Sequence, residues 1–106
     1  MDVDSELHCR VLRSVVTALL GAVTPNLRAV TVHYDETSLT LEAFYDLPPS
    51  EDEQEAISIA ETEVIADFPE EHSISTSITN IPAPGLIPKD RMLYVYRRKE
   101  DFYYEP

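Results

Sequence analysis

The stretch SEDEQEAISIAETEVIADFP, from Ser50 to Pro69, constrains the fold more than any other part of the chain. Ser50 with Glu53 three residues on is a capping box, and Glu51, Asp52 and Glu53 occupy a first turn where carboxylates favour the helix dipole. Ile57, Ala60, Val64 and Phe68, flanked by Ala56, recur at helical spacing, and Pro69 marks the end because the residue before a proline is pushed away from helical dihedrals. Such a helix cannot stand alone. Its apolar stripe needs a surface to cover, while Glu51, Asp52, Glu53, Glu55, Glu61, Glu63 and Asp67 stay outside as the favoured partner-binding face.

The flanking segments supply that surface. Asp4 to Val23 predicts a first helix with Leu7, Val11, Val15, Ala18, Leu19 and Ala22 inward and Asp2, Asp4 and Glu6 at its N-terminus; Gly21, Thr24, Pro25 and Asn26 end it. Leu12, Val16, Leu20 and Val23 widen its apolar arc. Burial within the monomer is the favoured account of them, with a dimer contact as the alternative. Leu27–Tyr34 and Leu39–Tyr45 read as a hairpin on the polar turn Asp35–Ser38. Symmetric closure pairs Tyr34 with Leu39, Val32 with Leu41 and Val30 with Ala43 on an apolar face, and His33 with Thr40, Thr31 with Glu42 and Ala29 with Phe44 on the other. His72–Thr79 alternates strictly and reads as a third strand, the Ile81–Asp90 connection as a stiff, proline-rich surface loop, and Arg91–Arg98 as a fourth strand with Leu93 and Val95 on one face and Met92, Tyr94 and Tyr96 on the other.

The fold expected from this order, α-β-β-α-β-β, is an α+β two-layer sandwich in which two helices cover one face of a four-stranded mixed sheet. Residues 1–98 form a single domain and residues 99–106 a C-terminal tail. The tail aromatics Phe102, Tyr103 and Tyr104 are unusual for a frayed end and suited to docking on the body. The strand order is left open.

Charge then narrows function. The 106 residues hold 20 acids against 8 lysines and arginines, a net charge of −12, and no lysine or arginine lies between Ala29 and Pro88, where 13 of the acids fall. Such a field repels phosphate backbones and anionic lipid and attracts basic proteins, so nucleic acid and membrane are excluded as partners. Acidity that merely keeps the chain soluble is the plainer alternative. No run of 18 apolar residues and no signal-peptide pattern is present, so a cytoplasmic location is expected, with the protein a monomer or weak homodimer.

No catalytic pattern accompanies these features. His8, His33 and His72 are scattered, Cys9 is the only cysteine, and Gly21 and Gly85 are far apart, so no metal site, cofactor site or phosphate loop is expected and the chain reads as a non-enzyme. The carboxylates of 51–55 lack the glycine turn of a calcium loop. A rival contact surface is the open face of the sheet, with His33, Glu42, Phe44, Tyr94 and Tyr96 among small polar residues; used in this way, the chain would be a general adaptor or subunit.

Three segments, VTPNLRAVTVHYD, AETEVIADFP and IPKDRMLYVYRRKE, within Val23–Glu100, resemble the immunity proteins that occur beside polymorphic toxins in contact-dependent growth inhibition and related bacterial systems. The resemblance implies a cytoplasmic, non-catalytic protein that binds and neutralises a cognate toxin domain. A nuclease-type toxin with a basic cleft is the partner such an acidic surface suits.

Overall fold

The structure is a computed structural model and describes residues 3–88 and 93–100, with side chains from residue 5 onward. Its elements are α1 (Val3–Leu19), β1 (Leu27–Tyr34), β2 (Ser38–Tyr45), α2 (Glu51–Ala66), β3 (Ser73–Asn80) and β4 (Leu93–Arg97). Two helices and a mixed four-stranded sheet make an α+β fold, in the expected order. The expectations for Asp2, the Asp4 side chain, Arg91, Met92, Phe102, Tyr103 and Tyr104 lie outside the described residues.

α2 forms as its residues dictate. Ser50 Oγ accepts from the Glu53 N–H at 3.1 Å, the Glu53 carboxylate accepts from the Ser50 N–H at 3.1 Å, and Ile57, Ala60 and Val64 are buried. The helix closes on Asp67, just before Phe68 and Pro69. Ser50→Ala removes only one arm of the box, because Glu53 is also held by Thr24 Oγ1 (2.5 Å) and Asn26 Nδ2 (3.3 Å). We expect a loss of about 1 kcal/mol in urea denaturation for Ser50→Ala, and a larger one for Glu53→Ala, which strips all of these donors of their acceptor.

α1 stops four residues short of the expected Val23. Gly21, at φ +86°, takes the left-handed conformation that ends a helix, and the Ala22 N–H bonds the Leu19 carbonyl at 2.9 Å. Val11, Val15, Ala18 and Leu19 join Ile57, Ala60, Val64 and Phe68 over Val30, Val32, Leu39, Leu41 and Ala43 in one buried cluster. The wider arc is a correction. Val16, Leu20 and Val23 are exposed, Leu20 by 76%, because the sheet and α2 cover only the stripe of Val11, Val15, Ala18 and Leu19.

The strand order is β3-β2-β1-β4, with β2 and β3 parallel and the other pairs antiparallel. The hairpin closes in the expected register, from Tyr34 opposite Leu39 to Ala29 opposite Phe44. Asp35 Oδ1 accepts from the backbone N–H groups of Thr37 and Ser38, both at 2.8 Å, which pins the turn and lowers its pKa from the usual 3.8.

Two bulges break the alternation. On β4 the partners step from Tyr96 opposite Val30 to Tyr94 opposite Thr31, leaving Val95 extra. Tyr96 therefore turns to the helix-side core with Leu93 and Val95, while Tyr94 keeps its expected face. On β1 the step from Leu27 to Ala29 leaves Arg28 extra.

The face expected to be open is also covered in part. Because β3 and β4 lie at opposite edges, the chain between them must cross the sheet, and residues 81–88 do so. Ile87 seals Ala29 and Phe44, with Ile81 and Tyr94 at the margin. What reads as a surface loop is the cover of a second small core.

Candidate functional site

Each carboxylate assigned to α2 can now be placed. Glu51, Asp52, Glu55 and Glu63 are exposed, Glu61 is half-buried on a flank, and none of the five makes a tertiary hydrogen bond among the described residues. Glu53 and Asp67 are not. Glu53 is drawn into the contact with Thr24 and Asn26, and the Thr24 hydroxyl, with the Ser50 N–H, holds its pKa below the usual carboxylate value. Asp67 accepts from Ser14 Oγ at 2.6 Å, while its backbone carbonyl accepts from Arg10 Nη2 at 3.3 Å, so it ties α2 to α1. The seven acids thus divide into an outer set and two inward-tied residues.

The outer set is not purely acidic. Ile59 lies one helical turn from both Glu55 and Glu63 and is 53% exposed. A recess of about 130 Å³ beside it is lined by Ala18, Leu20, Gly21, Ala22, Ala56, Ile59 and Glu63. An apolar centre with an acidic rim therefore spans the two helices. The three-residue spacing that places Ile59 off the inward stripe was visible in the sequence, but the neighbouring Leu20 could not be found without the helix packing.

The rival surface fares differently. Phe44 is 1% exposed and cannot meet a partner, Tyr96 lies on the helix side, and the half-buried Tyr94 donates its hydroxyl to the Pro88 carbonyl. His33 is exposed opposite Thr40, and Glu42 lies opposite Thr31, whose hydroxyl makes a long 3.5 Å contact with it. The cover of residues 81–88 is what removes the open aromatic face.

That cover hangs on Arg28, which sequence reasoning passed over. The bulge turns its side chain into the structure, 1% exposed. Nε and Nη2 donate to the two Glu100 oxygens at 2.9 and 2.6 Å, and Nη1 donates to the carbonyls of Ile81 and Gly85 at 2.8 and 2.7 Å. Arg98 extends the network to Glu100 (3.0 Å) and Asp46 (3.1 Å). The Arg28 guanidinium holds Glu100 below the usual carboxylate range, and the Ala83 N–H, then Arg98, do the same for Asp46. Glu100, assigned to the tail, is thereby anchored. A Cβ on Gly85 would meet the Pro82 carbonyl oxygen at 2.7 Å, so the turn that presents the Gly85 carbonyl to Arg28 needs glycine.

Among the described residues no group of three His, Cys, Asp or Glu side chains could hold a metal ion, and no helix is long and apolar enough to cross a membrane. A recess of about 430 Å³ between the helices is lined by Cys9, Arg10, Arg13, Ser14, Thr17 and Asp67; Ser14 and Asp67 in it are already bonded to each other.

Compared with known protein families, residues 8–100 match the model of the MafI2 immunity proteins, which covers α2, the hairpin and the Arg28–Glu100 network together. The chain belongs to the MafI2 immunity protein family. A search of the curated proteins finds no match. Membership of the MafI2 family bears out the resemblance seen in the sequence and points to a toxin-neutralising immunity role. The match takes in the structural ties of the fold as well as the acidic helix, so it does not single out either as the contact surface.

Proposed function

We propose that this MafI2-family protein neutralises its cognate toxin domain by direct, non-catalytic binding in the cytoplasm, and that the toxin is a basic, nuclease-type domain met by the outer face of α2. The observation that carries the reading is the outer set Glu51, Asp52, Glu55 and Glu63, exposed and without bonding partners among the described residues, in a sequence window that contains no lysine or arginine. Carboxylates in that state lose nothing internal when a partner engages them. They can stand where a nuclease cleft holds phosphates, and opposite charge speeds encounter. Ile59 and Leu20 supply the apolar centre that an interface needs beneath a charged rim.

The test is association with the toxin domain at rising ionic strength. The association rate should fall steeply as salt screens the carboxylates over about 8 Å at physiological strength. A rate that does not respond to salt would refute the acidic contact, and failure to bind at all would refute the reading as a whole.

A further inference from the structure

The two edges of the sheet are built differently. β4 is five residues long, is bulged at Val95 and carries Arg97, all features that discourage pairing with another chain. β3, Ser73–Asn80, reads SISTSITN: eight residues without charge, proline or glycine, paired with β2 without a register shift along its whole length. The Ser73 N–H bonds the Thr37 carbonyl at 2.8 Å and the Ile81 N–H bonds the Tyr45 carbonyl at 2.9 Å. This phase directs the backbone groups of Ser73, Ser75, Ser77 and Thr79 to β2 and those of Ile74, Thr76 and Ile78 outward. Among the described residues no strand pairs with that outer edge.

We propose that β3 pairs antiparallel with β3 of a second copy, joining two sheets into one of eight strands. The phase narrows the register, since only outward-directed residues can exchange hydrogen bonds across the new ladder. The side chains select among the axes that remain: an axis on Ser75 or Ser77 sets isoleucine against threonine and leaves Ile78 opposite His72 or Ile74 opposite Asn80. A twofold axis on Thr76 sets Thr76 opposite Thr76, Ile74 opposite Ile78, and, on the other face, Ser75 opposite Ser77. Like meets like on both faces. Ile78, 41% exposed in the single chain, gains an apolar neighbour, and Thr76, whose buried hydroxyl has no hydrogen-bond partner among the described residues, comes opposite its own copy. Centring the axis on Ile74 would instead set Glu70 against Ile78, and centring it on Ile78 would set Pro82 against Ile74. Because β4 is protected, the pairing closes at two copies and does not propagate.

Charge separates this contact from the toxin contact. Two chains of −12 repel each other, and α2 with its carboxylates packs on β3. Salt should therefore tighten the dimer and loosen the toxin complex.

The experiment uses the protein alone, so it succeeds or fails independently of the toxin. Sedimentation across a wide concentration range should show a twofold rise in mass, reached at lower concentration as salt increases. Hydrogen exchange should slow at Ile74, Thr76 and Ile78 only in the concentrated sample, whereas Ser75 and Ser77 are protected throughout. Ile78→Lys should restore the monomer without loss of fold. Ile78→Pro, which removes an outward N–H and leaves the β2 ladder intact, should do the same. A chain that stays monomeric at all concentrations and salts overturns the proposal. So does a dimer that survives Ile78→Lys with unchanged exchange at Ile74, Thr76 and Ile78.

Discussion

Arg28→Met is expected to destabilise the protein by about 3–5 kcal/mol, the range for breaking a buried ion pair by removing one partner. Methionine matches the length of the arginine stem but donates nothing. Glu100, 9% exposed, would lose both of its bonds to Arg28, and the Ile81 and Gly85 carbonyls would lose their donor inside the structure. Against a total stability of roughly 5–15 kcal/mol for a domain of this kind, that is a large fraction. The loss should be visible as a lower urea midpoint and as faster proteolysis within residues 81–88, which Arg28 holds over Phe44. Arg28→Met with Glu100→Gln should recover part of it, because the second change removes the stranded charge.

The pH dependence gives a second check. The folded-state pKa of Glu100 is depressed below the usual 4.5, mainly by the Arg28 hydrogen bond. The stability it contributes is present above the unfolded value and is lost as pH falls through the folded one. In Arg28→Met that depression is largely gone, so the variant has less to lose on acidification. The difference between the two proteins should narrow as pH drops below 4.5; a gap that stays constant would show that Arg28 acts through shape and not through the pair.

What could be read in advance follows the range of the forces involved. α2 was legible because its cap, stripe and stop all lie within twenty residues of sequence, and each points to the same helix. The hairpin register was legible because a slip of one residue would have exposed Val30, Val32 and Leu41. Arg28 was not, since only a bulge turns an arginine in a strand inward, and the residues that reward it lie 53 to 72 positions away. Tyr96 went to the wrong face for the same reason: one extra residue at Val95 inverts the alternation beyond it. The loss of the open aromatic face came from strand order. Nothing local in Ile81–Pro88 says that it must cross from one edge of the sheet to the other, yet that path is what buries Phe44 and removes it from the candidate surface. On α2 the acids were placed from the sequence, but their division was hidden, because Thr24, Asn26 and Ser14 reach Glu53 and Asp67 only in the folded chain.

That division makes the toxin contact testable by contrast within one helix. Replacing Glu51, Asp52, Glu55 and Glu63 together by their amides should slow association with the toxin domain by 10- to about 1,000-fold at low salt and flatten its salt dependence. Dissociation should change less. Some helix stability goes too, since Glu51 and Asp52 sit in the first turn, each worth about 0.3–1 kcal/mol there. Glu53→Gln controls for this, because it disturbs the Thr24 and Asn26 ties while leaving the outer field almost intact. It should lower the urea midpoint and leave the association rate near that of the parent. Ile59→Ala with Leu20→Ala should do the reverse of the charge set, speeding dissociation with little effect on encounter, as apolar contacts at an interface centre do. If the four amides leave both rate and salt slope unchanged while Ile59→Ala with Leu20→Ala still weakens binding, the toxin sits on the apolar centre alone and the carboxylates serve solubility; if neither set matters, the contact lies off α2 altogether.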